Sequence, residues 1–209
     1  MASFFCLEYI RYRHKKNLIT KLVIRLFVTF AQNFQQTQYF DMGKRFRQYA
    51  GLLAAVAMYY LIHEGAHLAV ALTQGVFKQI NIIGLGIQID TFAERMSDTQ
   101  MGVFCLAGAV ATLCAGWLLI CAVRPICRIH SKMARTCAWY TSVTLLMLDP
   151  IYLSIFYRWV GGGDMNGISL LLPAAAVSAI AIALGILNAL LIWRVLYPAY
   201  TQSFADQKA

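Results

Sequence analysis

The residues best suited to chemistry in this chain of 209 residues are His63-Glu64-Gly65-Ala66-His67. Histidines at i and i+4 share one face of a helix, about one turn apart, so both imidazoles can reach a single zinc ion. A glutamate beside such a pair can take a proton from water held by the metal. In a soluble protein this would be a metalloprotease helix. Here the pentapeptide sits in an apolar run from Gly51 to Gln74, and Glu64 is the one charged side chain between Arg47 and Lys78. At about 1.5 Å per residue, His63 falls roughly 18 Å from Gly51, near the middle of a bilayer-length helix. An unpartnered acid at that depth costs about 2.5–3.5 kcal/mol even on insertion scales, and a zinc ion would supply the partner. The competing reading is a chance pentapeptide whose histidines are hydrogen-bonded inside a helix bundle.

A zinc site needs a third protein ligand, and two aspartates are in contention. Asp149 precedes Pro150 in the middle of an apolar stretch. Proline removes a backbone donor and disfavours α geometry before it, so a kink or break is expected there. An acid at such a break is either functional or caps the freed amides. Asp164 follows Gly161-Gly162-Gly163, where the backbone can turn sharply or approach something closely. Its alternative role is that of a helix cap or a surface loop acid.

The elements that must position these groups follow from composition. The chain is 60% hydrophobic and 13% charged, with mean hydropathy +0.60. Soluble domains carry about 25% charged residues, so the expected class is an all-α, multi-pass membrane protein. The net charge of +9 does not point to nucleic acid. Nine of the eighteen basic residues (Arg11, Arg13, Lys15, Lys16, Lys21, Arg25, Lys44, Arg45, Arg47) precede the first apolar run, as in a cytoplasmic, lipid-facing segment. Six cysteines include no CxxC pair and do not form a secreted disulfide framework; the three inside one apolar run read as small buried hydrophobes. No cleavable signal peptide is expected at the start.

Four spans are predicted: Gly51 to Gln74, about Met101 to Val123, about Thr136 to Trp159, and about Ile168 to Val195. Pro173 falls early in the last of these. Residues 1–48 form a basic segment, with an interfacial amphipathic helix expected over 18–31, where Lys21, Arg25 and Thr29 make a polar stripe. Residues 49–197 form the core, and 198–209 a short tail. Between the first two spans, the alternation around Gly84 and Gly86 predicts a β-hairpin over 75–90. Its edge could pair with an extended peptide, or it could simply join two spans. The second span carries Ala107-Gly108-Ala109-Val110-Ala111-Thr112-Leu113 and Ala115-Gly116, small residues that permit close helix packing. The positive-inside rule places the N-terminus and the 124–135 loop on the cytoplasmic side.

These features, in this order over residues 50–170, resemble the site-2 protease family of intramembrane zinc metalloproteases. The HExxH on a membrane span is the specific part. A glycine-bearing hairpin, a small-residue motif on the next core helix and an aspartate near the third complete the likeness. The resemblance implies Zn2+ held by His63, His67 and one aspartate, with Glu64 as general base. The family commonly carries Leu-Asp-Gly, whereas this chain has Leu148-Asp149-Pro150 and, later, Gly162-Gly163-Asp164. The Gly-Gly-Asp setting is similar to that of divergent, minimal members and favours Asp164, with Asp149 as the alternative. Gly84, Gly86, Gly108 and Thr112 would contact substrate. The implied activity is hydrolysis of membrane-spanning substrates in the bilayer of a cell or organelle. The alternative is a non-proteolytic relative that binds or retains membrane partners. A metal carrier would call for more ligands than His14 and His130 provide. The chain is expected to leave no room for a PDZ or CBS module, so a regulatory membrane partner or a second copy could set specificity.

Overall fold

The structure, a computed structural model, describes residues 42–83, 86–161 and 163–205. The amphipathic helix expected over 18–31, and Gly84, lie outside the described residues.

Helix α1 (Met42–Thr73) carries the HExxH. It ends where Gly75 takes φ +69. The Val76 N–H then donates to Ala71 O at 2.9 Å and the Gly75 N–H to Leu72 O at 3.2 Å. This is the paired closure of a glycine-terminated helix, and the buried Val76 and Ala71 pack in one cluster behind it. The hairpin follows directly as β1 (Phe77–Ile83) and β2 (Gly86–Thr91), antiparallel, with Ile80 opposite Ile89 and Ile82 opposite Ile87. A bulge at Lys78 lets its ammonium reach Asp90 at 3.0 Å, and that hydrogen bond holds the Asp90 carboxyl below its usual range. Ile89 is buried in the central cluster and pins the hairpin there, while Ile80, Ile82 and Ile87 on the same face are exposed.

Helix α2 (Asp98–Cys121) opens with a capping box between Ser97 and Gln100. Its buried face is built of small residues, among them Gly102, Cys105, Gly108, Ala109, Thr112 and Gly116. A short α3 (Val123–Cys127) leads to α4 (Lys132–Ile151), so the third long helix starts before the expected Thr136 and includes Arg135. Arg135 is buried and donates to Ser203 O at 2.7 Å, tying α4 to the end of the chain's last helix.

Pro150 does not break α4. A π-helical turn (Tyr152–Phe156) follows it, and α5 (Tyr157–Val160) completes the span. Proline has no N–H to offer the carbonyl one turn earlier, at Leu146. Asn188 supplies the missing donor: its Nδ2 lies 2.6 Å from Leu146 O, and its Oδ1 accepts from Trp117 Nε1 at 3.0 Å. Asn188 is fully buried and so joins three helices through one amide. Asn188→Leu should therefore orphan both a carbonyl and an indole N–H. The expected cost is about 1–3 kcal/mol, read as a lower unfolding midpoint in detergent.

Beyond Gly161, at φ +88, the chain forms the short helix α6 (Gly163–Ile168). The last long helix does not begin at Ile168 as expected. It starts after Pro173 as α7 (Ala174–Leu191), since a residue without an N–H fits where no intrahelical donor is needed. A second π-helical turn (Ile192–Leu196) precedes α8 (Tyr197–Ala205), so the segment expected as a tail from 198 is helical through Ala205.

Four helical stretches are long and apolar enough to cross a membrane: Gly43–Thr73, Asp98–Cys121, Lys132–Val160 and Ala174–Ala205. Their outward faces expose large apolar side chains such as Leu53, Leu61, Leu118 and Trp193. A surface of this kind calls for an apolar environment.

Candidate metal centre

On α1, Tyr59, His63 and His67 recur every fourth residue and share one face. His67 is buried, and its Nδ1 lies 2.7 Å from Phe104 O on α2. A carbonyl only accepts, so the proton sits on Nδ1 and the lone pair of Nε2 is free for a metal. His63 is also buried, and its Nε2 lies 3.1 Å from Asp164 Oδ2. Asp164 Oδ1 stands 3.6 Å from His67 Nε2. One carboxylate on α6 thus faces both imidazoles of α1.

The place where these groups converge is bounded below by Gly108. A Cβ on that residue would stand 2.6 Å from Nε2 of both histidines. Any larger residue on α2 would fill the position an ion needs. Glycine is equally required at Gly167, where a Cβ would collide with Cys105, so α6 can lie against α2 and deliver Asp164. Burial alone would raise the Asp164 carboxyl. The two imidazoles facing it outweigh that and hold the group well below the usual carboxylate range, ionised as a ligand must be.

This donor set fits zinc. Ligands about 2.0–2.2 Å from one tetrahedral ion lie about 3.3–3.6 Å from one another. The two His–Asp separations fall close to that, and all three ligand atoms lie within 4.8 Å of one another. Among the described residues, His63, His67 and Asp164 are the group of His, Cys, Asp and Glu side chains arranged in this way.

Asp149 is placed otherwise. It is buried at 2% exposure on the far side of His63, with Oδ1 3.4 Å from Nδ1 rather than near Nε2. Its oxygens accept from the Tyr59 hydroxyl at 2.6 Å and from the Thr112 hydroxyl. The structure therefore brings Asp164 to the paired Nε2 atoms and leaves Asp149 behind one ring. Thr112 is fully buried and turned to Asp149, so it offers no surface to a substrate. Gly108 lies under the histidines, and Gly86 opens β2 at the far end of the hairpin.

Glu64 follows His63 on α1 and is not among the converging ligand atoms. It is half-buried, and the Ile89 backbone amide of β2 lies near its carboxylate. The hairpin thus flanks the acid beside the histidines. Sequence reasoning passed over Tyr59 and Phe104. Tyr59 carried a signal, four residues before His63 on the same face; Phe104 acts through its carbonyl, which no side-chain pattern reveals. In comparisons with protein-family models, curated proteins and solved structures, the chain matches none.

Proposed function

We propose that this chain is an intramembrane zinc metalloprotease of the kind its motif order resembles, the site-2 proteases. The observation that carries this reading is the meeting of His63 Nε2, His67 Nε2 and the Asp164 carboxylate over Gly108, on helices long and apolar enough to cross a membrane. Zinc, when bound, acts as a Lewis acid, lowering the pKa of water toward about 7 and polarising a carbonyl.

The chain's own residues supply the rest. Glu64, with the β2 backbone beside it, accepts a proton from the attacking water and delivers it to the leaving amine as the C–N bond breaks. The products are a carboxylic acid and an amine, and Glu64 ends as it began. His67 keeps its proton on Nδ1 throughout, fixed by Phe104 O. A helical substrate hides its scissile carbonyl in the i→i−4 ladder and must be drawn out first. Strand β2 passes beside Glu64, so a peptide extended along the hairpin would present its backbone to the general base.

The test is metal removal. Full-length protein in liposomes should carry about one zinc per chain and cleave a labelled transmembrane peptide. Stripping with a chelator should abolish cleavage, and added zinc should restore it. Cleavage that persists without metal would overturn the reading, as would a fully loaded protein that cleaves no transmembrane peptide while merely binding it.

A further inference from the structure

The buried acid behind His63, Asp149, has no part in the hydrolysis just described, yet each of its oxygens accepts a hydroxyl from a different helix. It lies on α4 and reaches α1 through Tyr59 and α2 through Thr112. A buried carboxylate is costly unless hydrogen-bonded, and these two hydroxyls satisfy one oxygen each. They also fix the plane of the carboxylate, since each oxygen is held from a different helix. The Tyr59 ring stacks on the His63 imidazole, with centroids 5.1 Å apart and planes inclined by 24°. Phenol, imidazole and carboxylate are thus packed as one unit.

One atom in that unit is left over. His63 Nδ1 is buried without a hydrogen bond among the described residues, and it stands 3.4 Å from Asp149 Oδ1. A shift of a few tenths of an ångström would close the contact. His67 shows what such a contact does, since its Nδ1 already donates to a carbonyl and its Nε2 is thereby freed. The two nitrogens of one imidazole point away from each other. A carboxylate seated at Nδ1 therefore cannot also reach an ion at Nε2.

We propose that Asp149 is a positioning residue outside the ligand set: held by Tyr59 and Thr112, it keeps the His63 proton on Nδ1 and the ring turned so that Nε2 faces the metal. This rests on the reading of His63, His67 and Asp164 as ligands. The substitution Asp149→Asn has nearly the same shape but removes the charge and replaces one of the two acceptor oxygens with a donor. A neutral amide holds the proton on Nδ1 less strongly than a carboxylate does, and with its N–H aimed at Nδ1 it draws that proton to Nε2, where it blocks coordination. Loss of a carboxylate behind a metal-bound histidine typically weakens metal binding 10- to 100-fold.

The experiment titrates Co2+ and Zn2+ into full-length, metal-stripped protein in detergent, comparing wild type with Asp149→Asn, Asp164→Asn and the double variant Tyr59→Phe/Thr112→Val. The wild type should take up one Co2+ with a tetrahedral visible spectrum. Asp149→Asn should bind 10- to 100-fold more weakly yet show the wild-type spectrum at saturation, because its ligands are unchanged. Asp164→Asn should alter the spectrum itself. Wild-type affinity in Asp149→Asn overturns the proposal. So does an altered spectrum matching that of Asp164→Asn, which would make Asp149 a ligand. Should Asp149→Asn fail to fold, the double variant decides. It leaves the carboxylate but removes both hydroxyls that hold it, and a several-fold weaker affinity supports the proposal while wild-type affinity overturns it. If the wild type takes up no Co2+, the ligand reading falls and this proposal with it; normal uptake that only Asp149→Asn leaves unchanged refutes this proposal alone.

Discussion

Glu64→Gln should keep its zinc, about one per chain, and lose peptide hydrolysis by about 10²- to 10⁴-fold, the usual contribution of a positioned general base. The two properties separate because Glu64 is not among the converging ligand atoms. Glutamine has almost the same shape, so it can keep the place of Glu64 beside the β2 backbone. What it cannot do is take a proton from water and hand it on. The local fold and the metal site are therefore expected to survive while the proton route is cut. Single-turnover cleavage in liposomes alongside metal analysis of the same sample checks both halves. Undiminished cleavage by the variant would remove Glu64 from the mechanism, and loss of zinc would make it part of the metal site instead.

Gly108→Ala should prevent zinc binding although every proposed ligand remains. The added methyl would stand 2.6 Å from both Nε2 atoms and 2.7 Å from His63 Cε1. Non-bonded carbons make favourable contacts only at about 3.5–4.0 Å, so one partner must move. The partners here are rings held on one side by Phe104 O and the stacked Tyr59, and they cannot retreat while keeping their aim on a common point. Gly116→Ala is the matched control. Its methyl would meet the side chain of Leu146 at 2.8 Å, the end of a flexible group that can yield at some cost in packing. Zinc stoichiometry near zero for Gly108→Ala and near one for Gly116→Ala is the expected pair of results. Equal loading would show that α2 does not bound the ion.

Much of this could be read along the chain because it depends on neighbours in sequence. Apolar runs of bilayer length announce the four long helices wherever they pack. Alternation broken by glycine announces the hairpin between the first two. The spacing of His63 and His67 places them on one face of any helix, with Glu64 turned aside. The helix ends were less legible. Pro173 marks where α7 starts rather than a position within it, and Pro150 sits inside α4 because Asn188 supplies a donor to the freed carbonyl of Leu146, from which it is 42 residues away along the chain.

The third ligand position lay beyond local pattern altogether. Asp149 has the depth expected of a ligand and Asp164 the glycine-rich approach; those two signals oppose each other, and only the family resemblance favoured Asp164. His63 and Asp164 are 101 residues apart. Whether they meet depends on how closely α6 can approach α2, and so on Gly167 against Cys105 and on Gly108 beneath the histidines. The same packing turns Asp149 to the opposite nitrogen of His63 and hands it the hydroxyls of Tyr59 and Thr112. The sequence alone determined which side chains could do metal chemistry and which helices would carry them, because spacing and hydropathy are properties of one segment. Only the tertiary structure decided which carboxylate faces Nε2 and which faces Nδ1, because that choice is made by the contact of helices far apart in the chain.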